Sequence, residues 1–136
     1  FQTWRDCIHS CTERSCGEIK WRKNIEIKEG SYINKECLLD AKGGNITIGK
    51  NVGIGYRCQL LTTNHSYTDK KKRTGKVIAS DITIGDGCWI GAGSIINPGV
   101  TIGDGCVIAS GSVVTRDCIS NGLYAGVPAK MIKRLE

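Results

Sequence analysis

Aliphatic side chains recur every six residues through the second half of the chain. Read in sixes from Ile84, the sequence runs IGDGCW, IGAGSI, INPGVT, IGDGCV, IASGSV and VTRDCI. Position one of each hexad is Ile or Val, position four is Gly in five of the six, and position five is compact. Six aliphatics in one frame have odds of roughly one in 10⁴ by chance. A fixed short period of this kind decides the architecture.

A six-residue period predicts a β-solenoid. It matches neither the 3.6-residue period of a helix nor the simple alternation of a long strand. One inward aliphatic in six residues suits a short strand followed by a corner, and three such sides make one triangular coil. Glycine fits the corners, because backbone with φ > 0 is unfavourable for residues that carry a Cβ. Stacked coils pair their strands in parallel and together form a stable core.

The frame divides the chain, which we expect to be one all-β domain over residues 1–136. Residues 1–26 are predicted to form an N-terminal cap or partial coil, with Trp21 in an inward position. Coils follow over residues 27–119, with a three-residue frame shift at Gly43–Asn45 and an extruded polar loop at residues 66–77. The expected inward residues are Ile27, Ile33 and Leu39, then Ile48, Ile54 and Leu60, then Ile78, Ile84 and Ile90, then Ile96, Ile102 and Ile108, and finally Val114.

Residues 120–136 lack the period. Gly126 and Pro128 predict a turn, and the segment AKMIKRLE from Ala129 to Glu136 is composed mostly of good helix formers. We therefore expect a turn followed by a short C-terminal helix that covers the open end of the solenoid.

The chain carries a formal net charge of +6, concentrated in two basic clusters. These are Lys70, Lys71, Lys72, Arg73 and Lys76 in the loop, and Lys130, Lys133 and Arg134 near the C-terminus. No nucleic-acid-binding motif or row of interleaved aromatics accompanies them, so we expect no nucleic-acid partner. An anionic small molecule or a cofactor phosphate is the better candidate, and a merely solvated face remains open for the loop. No apolar stretch is long enough to predict a membrane span.

Five of the eight cysteines fall on the compact fifth position of a hexad. Cys37, Cys58, Cys88, Cys106 and Cys118 are therefore interpreted as small buried thiols in a reducing cytoplasm. The other three lie beside a histidine in the series Cys7, His9, Cys11 and Cys16, whose spacing matches no standard zinc pattern. We predict no metal site.

One of the two histidines, His65, lies where the second coil ends and the polar loop begins. Histidine is the natural general base near neutral pH, although a histidine at a loop edge is more often structural or simply exposed. An enzyme that transfers an acyl group to a hydroxyl needs such a base, a hydrogen-bond donor for the oxyanion and a slot for the acyl donor.

The hexads resemble those of the hexapeptide-repeat acyltransferases, whose fold is a left-handed parallel β-helix. The run IGKNVGIGYRCQLLTTNHSYTD, followed by ITIGDGCWIGAGSIINPGVTIGDG, is similar to the sugar O-acetyltransferase branch, typified by galactoside and maltose acetyltransferases. The resemblance implies that His65 is the general base and that Asn34, within Tyr32-Ile33-Asn34, orients or binds the acceptor. Tyr32 is assigned to acceptor binding with it. Trp89 matches the family's Trp in the WIG element and is assigned to cofactor binding, although an outward interface aromatic is an alternative interpretation.

The same resemblance implies acetyl-coenzyme A as the acyl donor. The implied contacts are Gly91, Ala92, Ser110 and Gly111 along the pantetheine arm, and Thr115, Arg116, Lys130 and Lys133 at the nucleotide end. A backbone N–H near Ala92 is expected to bind the oxyanion. The family also implies a homotrimer with its sites between subunits, acting on a sugar or glycan acceptor.

Other readings of the same scaffold remain open. Antibiotic acetyltransferases carry an Asn-His pair that resembles Asn64-His65, serine acetyltransferases share the solenoid, and a solenoid used only for assembly needs no site. A zinc carbonic anhydrase would need three histidines per site, and the chain has two. The acceptor itself is not decided by the sequence: free sugars, nucleotide sugars, lipid-linked glycans and surface-polysaccharide units all fit, and we favour the last.

Overall fold

The computed structural model describes residues 18–136, which form a three-sided parallel β-helix. One 3₁₀ turn, Arg22–Asn24, accompanies the strands. In chain order the strands are β1 Glu18–Lys20, β2 Ile25–Ile27, β3 Tyr32–Ile33, β4 Leu38–Asp40, β5 Ile46–Ile48, β6 Gly53–Ile54, β7 Gln59–Leu61, β8 Thr63–His65, β9 Val77–Ala79, β10 Ile82–Ile84, β11 Trp89–Ile90, β12 Ile95–Ile96, β13 Thr101–Ile102, β14 Val107–Ile108, β15 Val113–Val114, β16 Gly122–Gly126 and β17 Ala129–Arg134.

All strands except β8 and β9, which form a separate two-stranded sheet, stack into three sheets that are the three sides of the coil. Sheet I contains β2, β5, β10 and β13, sheet II contains β3, β6, β11, β14, β16 and β17, and sheet III contains β1, β4, β7, β12 and β15. Each turn of the chain visits sheets I, II and III in that order. We name the corners by the sheets they join: the I–II corner (residues 28–31, 49–52, 85–88 and 103–106), the II–III corner (residues 34–37, 55–58, 91–94 and 109–112) and the III–I corner (residues 41–45, 62–81, 97–100 and 115–117).

The core is the column of inward aliphatics that the period predicted. All of the expected inward residues are buried except Ile27, which is partly buried, and Ile78. Parallel pairing places them in register, as in Ile54 beside Ile90 and Ile90 beside Ile108. Each fully buried aliphatic contributes about 1.5–3 kcal/mol relative to an exposed one, so the stack carries much of the stability.

Position five is buried as well, and its polar atoms bind the neighbouring coil. The five hexad cysteines are free and buried. Cys58 Sγ donates to the Gly91 carbonyl of the next coil at 3.2 Å, and Ser94 Oγ donates to the Ala109 carbonyl of the next coil at 3.2 Å. A thiol and a hydroxyl therefore do the same structural work at this position. Burial raises the pKa of Cys88 to about 11 and that of Cys118 to about 12.

Aspartates at position three explain the repeated IGDG sequence. Asp86 Oδ1 accepts from the Lys50 amide at 2.8 Å, and Asp104 Oδ1 accepts from the Asp86 amide at 2.7 Å. These carboxylates satisfy backbone donors that the corner leaves without strand partners. They are part of the scaffold.

The third coil begins at Ile82, and the prediction that it begins at Ile78 is wrong. Ile78 is 50% exposed and lies in β9, which pairs with β8 in an antiparallel hairpin outside the solenoid. The frame of six happens to pass through Ile78, but the hairpin lifts this residue off the core. The inward positions resume at Ile82 and Ile84, both buried.

Two predictions for the ends are also wrong. The segment predicted to be a C-terminal helix forms strand β17, which pairs antiparallel with β16 through a turn at Val127-Pro128. An eight-residue helix is marginal by itself, whereas pairing satisfies the backbone of the edge strand β16. Trp21 is 49% exposed, and Ile19 packs against the core instead, with β1 in register with β4. Within residues 18–136, no helix is long and apolar enough to cross a membrane.

Candidate active site

His65 lies on a hairpin that leaves the solenoid at the III–I corner. The chain departs after β7, forms β8 and β9 with His65 opposite Val77, and returns at Ile82. A cavity of about 370 Å³ opens between the hairpin and the solenoid. Its lining residues are Asn64, His65, Ser66, Tyr67, Thr68, Ile78, Ser80 and Pro98.

A backbone carbonyl fixes the orientation and the tautomer of His65. Nδ1 of the ring lies 2.9 Å from the carbonyl oxygen of Gly75. A carbonyl only accepts hydrogen bonds, so Nδ1 carries the proton and Nε2 of the neutral ring has the free lone pair. The loop is closed beneath this contact, because the Gly75 amide donates to the Ser66 carbonyl at 2.9 Å. His65 is exposed, and Nε2 is the ring nitrogen that faces away from this contact.

Five of the predicted acceptor and donor contacts, Asn34, Gly91, Ala92, Ser110 and Gly111, lie at a different corner, the II–III corner. Asn34 follows β3, Ala92 follows β11, and Ser110 and Gly111 follow β14. Ala92 and Ser110 occupy position three of successive coils and are exposed. Within residues 18–136 the Ala92 amide has no protein acceptor, whereas its carbonyl accepts from the Gly111 amide at 2.8 Å. An unpaired N–H at the edge of the solenoid is a suitable donor for an oxyanion.

The stacking of the coils explains why residue 91 is glycine, and the sequence analysis did not identify this structural requirement. It is buried, and a Cβ at this residue would lie 2.5 Å from the Ser110 amide nitrogen. The absent side chain is therefore required for coil stacking. Gly111 differs, because it is exposed, has φ +73 and would have nothing within 4 Å of an added Cβ. Room for a ligand exists at Gly111 and not at Gly91.

A second cavity opens at the II–III corner beside Ala92. Its volume is about 490 Å³. Its lining residues are Lys35, Glu36, Tyr56, Arg57, Ala92 and Gly93. The sequence analysis identified only Ala92 among them, although a signal was present: Glu36 and Arg57 occupy position four, where five of the six hexads from Ile84 have Gly.

The two predicted aromatics lie on the outer face of sheet II. Strand register places Tyr32 beside Gly53 and Gly53 beside Trp89. A Cβ at Gly53 would lie 2.6 Å from Tyr32 Oη, so the tyrosine ring covers the glycine that separates it from Trp89. Trp89 is 59% exposed. Tyr32 and Trp89 each directly follow the I–II corner, and one residue separates each of them from the II–III corner that contains Asn34 and Ala92.

The predicted nucleotide contacts are divided between two places. Thr115 and Arg116 follow β15 at the III–I corner, whereas Lys130 and Lys133 lie on β17 at the end of sheet II. All four are exposed. They present cations and hydroxyl groups at the C-terminal end of the solenoid, where phosphates would find charge-assisted partners.

One chain does not bring these predicted residues into a single site. Asn34 and Ala92 lie at the II–III corner, while His65 lies beyond the III–I corner. One side of the triangle separates them, roughly 20 Å for six residues at full extension. The predicted Cys7, His9, Cys11 and Cys16 cluster lies outside the described residues, and residues 18–136 contain no group of three or more potential metal ligands.

Comparison with known proteins identifies the repeats and the fold. A family model described as bacterial transferase hexapeptide (six repeats) matches residues 81–116. A Saccharomyces cerevisiae protein assigned by name to the acetyltransferases is 36% identical over 138 residues, which cover 98% of this chain and 70% of the yeast protein. Galactoside O-acetyltransferase of Escherichia coli is 39% identical over 117 residues, 86% of this chain and 57% of that enzyme. The chain spans 61% of a Dictyostelium discoideum relative.

Solved structures of similar proteins extend the comparison. A hexapeptide-repeat acetyltransferase of Vibrio cholerae, crystallised with acetyl-coenzyme A, is 36% identical and superposes with a TM-score of 0.81 over 87% of this chain and 64% of its own. A maltose O-acetyltransferase of Clostridium difficile is 38% identical, with a TM-score of 0.80 over 88% of this chain and 64% of its own. These matches confirm the resemblance and the left-handed β-helix: the chain belongs to the hexapeptide-repeat acetyltransferase family.

Proposed function

We propose that the protein is an acetyl-coenzyme A-dependent O-acetyltransferase with His65 as its general base. The observation that carries the proposal is the 2.9 Å contact between His65 Nδ1 and the Gly75 carbonyl, which leaves Nε2 as the basic nitrogen of an exposed ring. An assembly scaffold has no need of a histidine held in one tautomer. The family membership and the acetyl-coenzyme A complex of the Vibrio cholerae relative support the same donor.

The II–III corner fits the donor. Ala92 offers a free amide within residues 18–136, and Ser110 and Gly111 continue an open edge of small residues. Lys130 and Lys133 supply exposed cations for phosphates at the end of this edge. Acetyl-coenzyme A supplies an activated acetyl thioester when it binds there.

We propose a direct transfer in which each residue has one task. His65 Nε2 removes the proton of the acceptor hydroxyl as its oxygen bonds to the acetyl carbon. The Ala92 amide donates to the acetyl oxygen as that oxygen gains negative charge. The carbon–sulfur bond then breaks, and His65 returns its proton to the sulfur of coenzyme A. Asn34 orients the acceptor hydroxyl, and no covalent enzyme intermediate is needed.

The acceptor we propose is a sugar, free or within a surface polysaccharide. Two relatives are named for galactoside and maltose acetylation, which supports a pyranoside hydroxyl. Tyr32, partly buried on the outer face of sheet II, offers aromatic surface of the kind that contacts sugar rings, and the more exposed Trp89 is proposed to contact the acetyl-coenzyme A donor. Five free buried thiols together with this donor favour a reducing compartment such as the cytoplasm.

The separation of the two corners supports a site shared between subunits. Because His65 and Ala92 lie at different corners of one coil, a complete site requires the hairpin of one chain to meet the II–III corner of another. A closed ring of three copies achieves this with every site identical. We therefore propose a homotrimer with its sites at the subunit boundaries.

A thiol-release assay with His65→Gln tests the proposal. Wild-type protein should release coenzyme A from acetyl-coenzyme A in the presence of a galactoside or maltose, and loss of the base should reduce kcat by about 10²–10⁴-fold. Acetyl-coenzyme A binding, measured by calorimetry, should stay within a few-fold. Thr74→Ala, an exposed residue of the same hairpin that does not line the cavity, serves as the matched control. Wild-type turnover in His65→Gln contradicts the assignment, and absence of acetyl-coenzyme A binding favours a structural solenoid.

A further inference from the structure

The II–III corner contains two charged residues in a backbone conformation that favours glycine. Position four of successive coils at this corner is Glu36, Arg57, Gly93 and Gly111, and their φ values are +62, +57, +71 and +73. The left-handed conformation is unfavourable by roughly 1–2 kcal/mol for a residue with a Cβ. Two coils therefore place charged side chains at positions where the next two coils have glycine.

Stability does not explain this choice. Arg57 Nε donates to Glu36 Oε2 across the two coils, and the side chains are 75% and 54% exposed. An ion pair this exposed contributes about 0–1 kcal/mol, less than the strain of two left-handed residues. Strained residues that add no stability are concentrated at binding and active sites.

The pair forms one wall of the 490 Å³ cavity, and the other walls suit a sugar. Tyr56 is 54% exposed and lines the cavity together with Lys35. Ala92, the proposed oxyanion donor, lines it as well. Arg57 uses Nε for Glu36, so its two terminal nitrogens and the second carboxylate oxygen can bind hydroxyl groups. An aromatic face combined with a donor–acceptor pair recognises a pyranose ring.

We infer that this cavity is the acceptor subsite, in which Tyr56 stacks on a pyranose ring and the Arg57–Glu36 pair binds its hydroxyls. The inference rests on the proposed function and adds residues to it that the family resemblance did not supply. Asn34 directly precedes Lys35 and Glu36, so the subsite continues from the residue expected to orient the reacting hydroxyl. Specificity for the sugar then depends on Tyr56 and Arg57.

Arg57→Gly separates this role from a structural one. Glycine is native at the equivalent positions 93 and 111, so the variant should fold with an unchanged or higher Tm. Loss of charge-assisted hydrogen bonds should raise the KM for methyl β-galactopyranoside or maltose about tenfold or more. The KM for acetyl-coenzyme A should stay within about twofold. Tyr56→Ala should give the same pattern.

Asn51→Gly is the matched control. Asn51 has φ +55 at the I–II corner, remote from both cavities, so this variant tests removal of a left-handed side chain alone. It should leave both KM values unchanged. If the acceptor KM is unchanged in both Arg57→Gly and Tyr56→Ala, the subsite is overturned. The proposed function is tested separately, by the kcat of His65→Gln.

A binding measurement keeps the inference testable without turnover. Saturation-transfer NMR with methyl β-galactopyranoside and maltose, in the presence of coenzyme A, should show sugar signals for wild type that Tyr56→Ala abolishes. Sugar signals that persist in Tyr56→Ala overturn the subsite, as does their absence in wild type. If wild type shows no sugar signals but releases coenzyme A with a non-sugar hydroxyl acceptor, the proposed O-acetyltransferase activity stands and only the sugar subsite is rejected.

Discussion

The II–III and III–I corners are built from the same repeat and have diverged in opposite ways. At the II–III corner the hexads are regular and closely stacked, with Gly91 in contact with the next coil, and the chain varies the side chains while the four-residue corner keeps its length. At the III–I corner the chain inserts a hairpin and places His65 at its base. One corner offers a rigid surface for ligands and the other a projecting arm. The proposed transfer uses both corners, and it would therefore join corners from different chains.

The strongest test of this division is complementation between two inactive variants. Asn34→Ala removes a residue of the II–III corner, and His65→Gln removes the base from the hairpin. When the two proteins are refolded together at equal amounts, about a quarter of the sites should combine an intact hairpin with an intact corner. Coenzyme A release should rise from near zero to a substantial fraction of the wild-type rate.

The control for complementation is refolding of each variant with itself, which should stay inactive. Recovery in the mixture would demonstrate that a site takes Asn34 and His65 from different chains. Activity that never exceeds the sum of the separate variants would show that one chain supplies both residues, and the division between corners would then have no functional meaning.

A smaller effect is expected when the carbonyl that holds His65 is displaced. A Cβ at Gly75 would lie 2.7 Å from the Ser66 carbonyl oxygen, so Gly75→Ala should push apart the strands that position the Gly75 carbonyl. We expect kcat to fall about tenfold because His65 loses its fixed tautomer, a positioning effect and not loss of the base. The KM for acetyl-coenzyme A should not change.

Non-additivity distinguishes positioning from general damage to the loop. If Gly75 acts only through His65, adding Gly75→Ala to His65→Gln should produce no further loss of kcat. Thr74→Ala, one residue earlier and exposed, should behave like wild type. A further tenfold loss in the double variant would indicate that the loop has a role of its own.

The smallest effect is expected at the I–II corner, which contains neither the proposed general base nor the proposed oxyanion donor. Burial raises the pKa of Cys88 to about 11 from an ordinary value of 9.0. The folded state then holds a proton that the unfolded state releases, so stability falls as the pH rises from about 9 towards 11. Cys88→Ser should reduce this loss by on the order of 1–2 kcal/mol in urea titrations, since serine does not titrate there.

Activity provides the comparison for that variant. Ser94 and Ser112 occupy position five elsewhere and donate to backbone carbonyls as Cys88 does, so Cys88→Ser should fold and retain wild-type kcat at neutral pH. An unchanged alkaline stability profile would show that Cys88 is not the group responsible. A large loss of kcat would show that the I–II corner contributes to the site.

The repeat predicted the fold because each hexad repeats one local rule. Inward aliphatics such as Ile54 and Ile90 follow from period alone. The prediction of an inward Ile78 is wrong because the hairpin insertion preserves the frame of six by coincidence. The prediction of a helix over Ala129–Glu136 is wrong because the open edge of β16 favours strand pairing over helix propensity. His65 was identifiable as a candidate, but its contact with Gly75 depends on an antiparallel pairing that propensity does not encode.

The cavity residues were missed for a different reason. The repeat assigns position four to a corner whatever residue stands there, so it does not distinguish Glu36 and Arg57 from the glycines at the same position. The separation of Asn34 from His65 is predictable from the sequence alone. Asn34 follows the second side of a coil and His65 follows the third, so counting sides already assigns them to different corners.

Strand β17 has a consequence for the behaviour of the protein at high concentration. Parallel solenoids end in exposed strand edges, which invite another chain to add to the sheet and grow a fibre. Here the chain folds back antiparallel on β16 and places Lys130, Lys133 and Arg134 along the outer edge of sheet II. An incoming strand would meet three positive charges, so this strand acts as a gatekeeper against fibrillar growth at that edge.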